Sequence, residues 1–310
     1  MDKYFFKKLI TLIFLILLLT FCIFTIKSLI YYKKNNFVCM CTPAKEENKY
    51  IKEFIEHYKN YGVDKIFLYD NNDIDGEKFD DVINEYIKTK FVDVVNFRGK
   101  KKAALDMMND CYQKNYRYYD WLIFYEVDEY LYLKDIKNIK IFLNNIKFYK
   151  CQKIQLNWIF HTDNNQLYYE DKPLKQRFPE REEKARNRDF GGSLQVKSIL
   201  RGHIPNITIN CIHTLNSKLY TCNGFGEKQK PFGIRTKKSD FKYYYIDHYY
   251  CKSTEEFINK VNKGDILYYK RNILHRINNY FKMNRMTNEK IKMFEKGVGL
   301  NLSILRKNIN

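Results

Sequence analysis

The sequence predicts an α/β fold, in which a mixed sheet is flanked by helices and is preceded by an N-terminal transmembrane helix. Strand-like and helix-like segments alternate over residues 37–125, which is typical of parallel strands joined by helical crossovers. An uncharged apolar segment covers residues 9–26. The chain has 310 residues, 45% of them hydrophobic, which is ample for a packed core.

The apolar segment is long enough to cross a bilayer, for which roughly 20 apolar residues are needed. A cleaved signal peptide has a shorter apolar region of about 7–15 residues that ends at small residues. Residues 21–32 are bulky, so we predict an uncleaved signal anchor. Lysines flank the segment on both sides, so the positive-inside rule barely separates the two orientations, and a single-pass type II arrangement is the simplest expectation. The predicted divisions are a tail at 1–8, the anchor at 9–32 and a stalk at 33–36.

The elements that follow are predicted from hydrophobic periodicity and from helix stop signals. The first helix shows its buried stripe at helical spacing, with Tyr50, Ile51, Phe54, Ile55 and Tyr58 before Gly62. Strands are expected at 37–41, 65–69, 91–95 and 121–125, and helices at 48–61, 77–88 and 100–113. The second half, from about residue 151, is less regular and is expected to be mixed sheet and loops.

Polar residues follow three of these strands, at 42–47, 70–73 and 126–129. Ligands of open α/β sheets bind beyond the carboxyl ends of the strands, so we expect these residues to gather at one edge. The segment WLIFYEVDEYL ends in Glu126, Asp128 and Glu129, whose charges repel one another unless a cation lies between them. Mg²⁺ or Mn²⁺ suits such oxygen ligands. Glu126 and Asp128 would face one pocket if the pleat persists, and a solvated acidic turn is the alternative.

A second segment with the character of a site covers residues 243–264. Ser253 and Glu256 form a capping box, which predicts a helix that starts near residue 254. His248 then lies between a tyrosine-rich strand and the helix N-terminus, where Lys252 adds a positive charge favourable to phosphate. A neutral imidazole there could complete the coordination of a metal, and a hydrogen-bonded structural histidine is the alternative.

The formal charge of +19 favours anionic partners. We predict no nucleic-acid partner, because the lysines are dispersed and neither a zinc-finger spacing nor an RNP-type motif is present. The 8 cysteines contain no Cys-x-x-Cys pair, which disfavours a structural zinc site. If the body is lumenal, Cys211 and Cys222 are the first pair to test for a disulfide.

Several segments together resemble a glycosyltransferase of the GT-A fold, and most closely the family 92 type with its bacterial family 2-like relatives. The matching residues are Lys45-Glu46-Glu47, 50–58, Gly62-Val63-Asp64, 66–72, 121–131, Asn157-Trp158-Ile159-Phe160, 248–253, Phe257 and 260–264. The resemblance covers roughly residues 37–267 and implies a GT-A domain at 37–290, followed by a C-terminal tail at 291–310.

The resemblance implies a membrane-anchored, metal-dependent enzyme that transfers a sugar from a nucleotide donor, expected to be a UDP-sugar, to a glycan or other hydroxyl acceptor. It implies that Thr42, Glu47, Asp70 and Asn71 hold the base and ribose. Asp128 would bind Mn²⁺ or Mg²⁺, Glu126 the ribose, the sugar or the metal, and His248 the metal or the diphosphate, beside Lys252.

Family membership also implies inversion at the anomeric carbon, which needs a carboxylate base. The candidates are Asp163, Glu180 and Glu182, with Asp163 preferred because it follows the Trp158 segment. The alternative function is a catalytically inactive, membrane-tethered carbohydrate-binding or interaction protein. The expected location is the Golgi or ER lumen in a eukaryote, and the cytoplasmic face of the inner membrane in a bacterium.

Overall fold

A computed structural model describes residues 3–33, 36–181, 195–229, 241–263 and 273–306 of the chain. The strands are β1 (Val38–Ala44), β2 (Lys65–Asp70), β3 (Val92–Asn96), β4 (Trp121–Ile123), β5 (Glu129–Leu133), β6 (Lys153–Phe160), β7 (Val196–Arg201), β8 (Thr221–Cys222) and β9 (Tyr244–His248). The helices are α1 (Lys3–Lys33), α2 (Asn48–Asn60), α3 (Asp80–Lys88), α4 (Ala104–Asn115), α5 (Ile139–Leu143), α6 (Leu174–Arg177), α7 (Thr254–Asn262), α8 (Ile273–Met283), α9 (Asn288–Val298) and α10 (Ser303–Arg306).

Within the described residues the strands form one mixed sheet in the order β3-β2-β1-β4-β7-β6-β9-β5, with β8 beside β6. The first four strands in this order are mutually parallel, as the alternation of strands and helices predicted. β7 then runs antiparallel to both β4 and β6, β9 runs parallel to β6, and β5 runs antiparallel to β9. The predicted α/β class with a mixed sheet flanked by helices is therefore confirmed.

Two hydrophobic cores lie on the two faces of this sheet, because successive side chains of a strand point to opposite sides. In β1, Val38 and Met40 belong to the larger core, which α2, α7 and α9 cover. Cys39 and Cys41 belong to the smaller core, which α4 covers. This two-sided burial explains why β1 and β4 are uninterrupted apolar runs in the sequence.

Helix α2 packs along β5, which is the last strand in the sheet order. The Tyr58 hydroxyl donates a hydrogen bond to the Glu129 carbonyl at 2.7 Å and accepts one from the Leu131 amide at 3.0 Å. His57 Nε2 lies 3.1 Å from the Leu131 carbonyl. Side chains of α2 thus provide hydrogen-bond partners for the backbone of β5 on the side away from β9.

The last strand of the N-terminal half is shorter than predicted. β4 ends at Ile123, whereas the apolar run suggested a strand to residue 125. A tight turn follows, in which the Glu129 amide donates to the Glu126 carbonyl at 3.0 Å, so the pleat that would have aligned Glu126 with Asp128 does not persist. The predicted domain boundary at residue 290 falls inside α9, where Ile291 and Phe294 are buried.

The predicted disulfide between Cys211 and Cys222 is wrong. Cys222 is bonded to Cys151, at the start of β6, while Cys211 is free. A second disulfide joins Cys41 of β1 to Cys111 of α4. The topology explains the first pairing, because β8 lies beside β6 and brings Cys222 against the start of that strand.

Helix α1 covers the segment predicted to be a signal anchor. Among the residues that the structure describes, no helix combines the length and the apolar character required to cross a membrane. The predicted anchor therefore has no support from the structure.

Candidate functional site

The acidic turn between β4 and β5 brings three carboxylates together with two lysines. Lys197, on β7, is completely buried, and its Nζ lies 2.6 Å from Glu126 Oε1 and 3.4 Å from Glu129 Oε1. Asp128 instead pairs with Lys260 of α7, whose Nζ lies 2.7 Å from Asp128 Oδ2. The repulsion expected among the carboxylates is therefore offset in part by the protein's own cations.

These pairs decide the charge of each carboxylate. Burial opposes the ionisation of Asp128, but the Lys260 ammonium outweighs it and holds the pKa of Asp128 well below its usual range. Burial is likewise outweighed at Glu126, whose pKa is lowered by the charge of Lys197. At Glu129, burial dominates and raises the pKa well above its ordinary value. Asp128 and Glu126 are thus the anionic members of the turn.

His248, the last residue of β9, lies beside the acidic turn. It is the register partner of Glu129 in the β5–β9 ladder, and its Nε2 lies 3.5 Å from Asp128 Oδ1. The rings of Trp158 and Phe160 contact the imidazole, with centroids 4.3 and 5.1 Å away. Burial lowers the pKa of His248, which favours the neutral form that can bind a metal.

The donor atoms present fit a hard divalent cation. Asp128, Glu129 and His248 are all buried, and one potential ligand atom from each lies within 4.8 Å of the others. Within the described part of the chain, Asp128 Oδ1, Glu129 Oε1 and His248 Nδ1 are buried without a hydrogen-bond partner. Two oxygens and one imidazole nitrogen suit Mn²⁺ or Mg²⁺. Two of the predicted ligands, Asp128 and His248, belong to this group. The third predicted ligand, Glu126, is paired with Lys197, and Glu129 takes the place of Glu126 in the group.

A cavity of about 430 Å³ lies between the first turn of α2 and helix α7. Charged side chains dominate its wall, among them Glu46, Glu47, Glu77, Lys252, Lys260 and Lys263. Lys260 connects the cavity to the acidic turn, because it lines the cavity and also contacts Asp128. The cavity and the turn are therefore neighbours that share the Lys260 side chain.

The capping box predicted at the start of α7 is confirmed and positions this wall. The Glu256 amide donates to Ser253 Oγ, and Glu256 in turn accepts a hydrogen bond from the Ser253 amide. Glu256 is held by Arg177 and by the Tyr50 hydroxyl of α2. Lys252, just before the cap, has a left-handed φ of 53° and lies buried between Glu47 and the Tyr50 ring.

The residues predicted to hold base and ribose lie at the ends of β1 and β2, which are paired parallel strands. The carboxylate of Asp70 is bound by Arg98 at 2.6 Å, and the Asn71 side chain donates to the Phe97 and Lys100 carbonyls. Among the described residues, Thr42 Oγ1 is buried without a hydrogen-bond partner. The structure thus brings these polar strand ends to the same sheet edge as the acidic turn.

The three predicted catalytic bases differ from one another in their surroundings. Asp163 is buried in a second polar cluster, where its carboxylate accepts hydrogen bonds from Lys290 at 2.5 Å and from the Tyr280 hydroxyl. Glu180 is exposed, next to Arg181. Glu182 lies outside the described residues. The partners of Asp163 argue against a free base at that position, although Asp163 was the preferred candidate.

Sequence reasoning assigned no role to Lys197 and Lys260, the two lysines that pair with carboxylates of the acidic turn. A signal for Lys197 exists, because it stands inside the apolar run VKSIL, where a lysine must be buried and therefore needs a buried partner. Lys260 occupies a helix position between the buried residues Phe257 and Val261.

Comparison with known proteins gives a consistent result. The sequence model of glycosyltransferase family 92 matches residues 34–295. A family 92 protein from Ricinus communis is 27% identical over 113 residues, which is 36% of this chain and 20% of that protein. One from Oryza sativa subsp. japonica is 24% identical over 122 residues, 36% of this chain and 19% of the relative. The chain thus matches about a fifth of the length of these curated relatives.

Solved structures show a more distant similarity. Residues 1–349 of S. aureus TarS in complex with UDP-GlcNAc align with 85% of this chain and 80% of that chain, at 12% identity and a TM-score of 0.41. The mannosyltransferase PcManGT from Pyrobaculum calidifontis in complex with GDP-Man and Mn²⁺ aligns with 44% of this chain and 42% of that chain, at 7% identity and a TM-score of 0.31.

Proposed function

Because the chain belongs to glycosyltransferase family 92, we propose that it transfers a sugar from a nucleotide-sugar donor to a hydroxyl group of a glycan or glycoconjugate. The observation that carries the proposal is that Lys260 contacts Asp128 of the acidic turn and also lines the neighbouring cavity of about 430 Å³. Carboxylates and an imidazole suited to a divalent cation lie next to lysines suited to phosphate, which is the pairing that a nucleotide diphosphate requires.

The proposed metal ligands are Asp128 and His248, with Glu129 as a third ligand and Glu126 as a neighbouring charge held by Lys197. When bound there, Mn²⁺ or Mg²⁺ would act as a Lewis acid for the diphosphate, a contribution of several kcal/mol. The neutral imidazole and the ionised Asp128 are already in the protonation states that metal binding needs, whereas Glu129, whose pKa burial raises, would release a proton when it binds the metal.

The donor is proposed to be a UDP-sugar that lies across the ends of β1 and β2. Thr42 would offer its unpaired hydroxyl to the nucleoside, and Asp70 and Asn71 would shape the pocket for base and ribose. Glu47 and Lys252 stand where the cavity meets the start of α2. Because Arg98 and two backbone carbonyls hold Asp70 and Asn71, these two side chains are positioned before a ligand arrives.

Inversion at the anomeric carbon is proposed from family membership. It needs a carboxylate that takes the proton of the acceptor hydroxyl, a contribution of about 10²–10⁴ in rate. Since Asp163 is bound to Lys290 and Tyr280, Glu180 and Glu182 are the bases that we propose.

Membrane attachment through residues 9–32 and the type II orientation stay predictions. Two disulfides favour an oxidising compartment, such as the lumen of the ER or Golgi, because cytosolic thiols are kept reduced.

A donor screen tests the proposed function directly. The purified chain is incubated with individual UDP-sugars and Mn²⁺, and released UDP is measured with and without a chelator. We expect metal-dependent release with one donor, and a loss of at least about a hundredfold in Asp128→Asn, because this variant weakens the binding of the cation that would stabilise the leaving diphosphate.

Asp135→Asn is the matched control, since Asp135 is an exposed carboxylate beyond β5 and its replacement should leave turnover unchanged. If the wild-type chain bound no nucleotide in the presence of metal, the proposal would fail and a carbohydrate-binding or interaction module would be favoured instead.

A further inference from the structure

Lys260 occupies a position shared by the two halves of the site. Its Nζ lies 2.7 Å from Asp128 Oδ2 and 3.2 Å from the Tyr250 carbonyl oxygen, and 4.3 Å from the centre of the Tyr250 ring. Its side chain is 22% exposed and lines the cavity. The side chain is therefore anchored on the Asp128 carboxylate and borders the cavity.

The other two α7-side lysines of the cavity are held elsewhere. Lys263 Nζ contacts Glu47 Oε1 at 2.9 Å and the Lys45 carbonyl at 2.7 Å. Lys252 Nζ lies 3.4 Å from Glu47 Oε2 and over the Tyr50 ring. Of these three lysines, Lys260 is the one that contacts a proposed metal ligand, so it connects the cavity to the cation site.

A cation that binds Asp128 at Oδ1 would lie close to this ammonium, which holds Oδ2 of the same carboxylate. Both carry positive charge, and the Asp128 carboxylate is the buried anion that they would share. The Lys260 ammonium and a divalent cation at Asp128 would repel one another unless a further anion is bound beside them. A diphosphate in the cavity supplies that anion, because its oxygens can accept charge-assisted hydrogen bonds from Lys260 while they also coordinate the metal.

We propose that Lys260 binds the diphosphate of the nucleotide sugar and couples nucleotide binding to cation binding at Asp128. Without nucleotide, Lys260 holds Asp128 and weakens the binding of a divalent ion. With nucleotide, the ammonium and the metal bind the same diphosphate, so each ligand strengthens the binding of the other. This inference rests on the proposed function, since it assumes a diphosphate ligand.

The coupling makes two opposite predictions for Lys260→Met. The affinity for UDP at saturating Mn²⁺ should fall by about tenfold or more, as expected for loss of a hydrogen bond to a charged group. The affinity for Mn²⁺ alone should rise severalfold, because a competing charge is removed from Asp128. A substitution that merely disturbed the fold would weaken the binding of both ligands.

Titration calorimetry with UDP and with MnCl₂ measures both affinities on the full chain. Lys52→Met is the matched control, because it removes the same charge from an exposed position on α2 and should change neither affinity. Lys260→Arg keeps the charge and should retain most of the UDP affinity. If Lys260→Met does not fold, Lys260→Gln, which also removes the charge, replaces it in both titrations.

Two results would overturn the inference: a neutral Lys260 variant that binds UDP as tightly as the wild type, or one that binds Mn²⁺ alone no more tightly. If the wild-type chain itself bound no UDP in the presence of Mn²⁺, the proposed function would fail as well. Failure of the Lys260 inference alone is therefore recognisable, because the wild-type chain would still bind the nucleotide.

Discussion

Lys197 shows how one residue sets the chemistry of the acidic turn. It is fully buried on β7, yet its pKa is raised, because the nearby carboxylates, first of all Glu126, outweigh the cost of burial. The lysine stays protonated and lowers the pKa of Glu126. A short motif with three acidic residues therefore contains carboxylates of different character, and Asp128 is the one that faces His248 and the cavity-lining Lys260.

His57 gives a prediction about pH at the residue scale. Burial lowers the pKa of His57 to about 4, below the value near 6.5 of an unfolded histidine. Between these values the unfolded state binds a proton that the folded state does not, so stability falls as the pH falls from about 6.5 to about 4.

Between pH 7 and pH 4.5, the free energy of unfolding of His57→Gln should fall by about 2 kcal/mol less than that of the wild type, because glutamine does not take up a proton. Urea unfolding of both proteins at pH 7 and at pH 4.5 measures the difference. An equal loss in the two proteins would show that His57 does not contribute to the acid sensitivity.

Helix α7 forms one wall of the cavity, with Lys252 just before it and Lys260 in its last turn. Its start was predictable from sequence, because a capping box depends on residues three positions apart. The contacts of its lysines were not predictable, because Lys260 meets Asp128 across a sequence separation of 132 residues.

The cap of α7 leads to a prediction at the element scale. Replacing Ser253 with alanine removes the acceptor for the Glu256 amide and should destabilise the protein by about 1 kcal/mol. Chemical unfolding measures the effect. Ser217→Ala, at an exposed loop serine, is the control and should leave stability unchanged. Equal stability of the two variants would mean that the cap makes no net contribution.

At the scale of the whole molecule, the order of strands was only partly predictable. The parallel half follows from the alternation of strands and helices, since such connections are right-handed crossovers between parallel strands. The antiparallel half depends on β7, which lies between β4 and β6 although it follows both in sequence. That long-range pairing buries Lys197 behind the acidic turn.

The disulfides provide a prediction about the whole chain. Non-reducing peptide mapping after thiol blocking should find Cys41 linked to Cys111 and Cys151 linked to Cys222, with Cys211 blocked as a free thiol. Each bond closes a loop of about 70 residues, so its removal should cost on the order of 4 kcal/mol in the chain-entropy account.

Thermal unfolding of Cys111→Ser and Cys222→Ser measures this cost, and Cys211→Ser is the control that should unfold at the wild-type temperature. A peptide that links Cys211 to Cys222 would contradict the pairing described for the chain.

The contacts that α2 makes with β5 limit how this protein can associate with others. Exposed amide and carbonyl groups on a terminal strand normally invite a foreign strand to dock and lengthen the sheet. Here Tyr58 and His57 already satisfy the groups of Glu129 and Leu131, so an incoming polypeptide finds no template there. Growth of the sheet from the β5 margin would first have to displace these two side chains of α2.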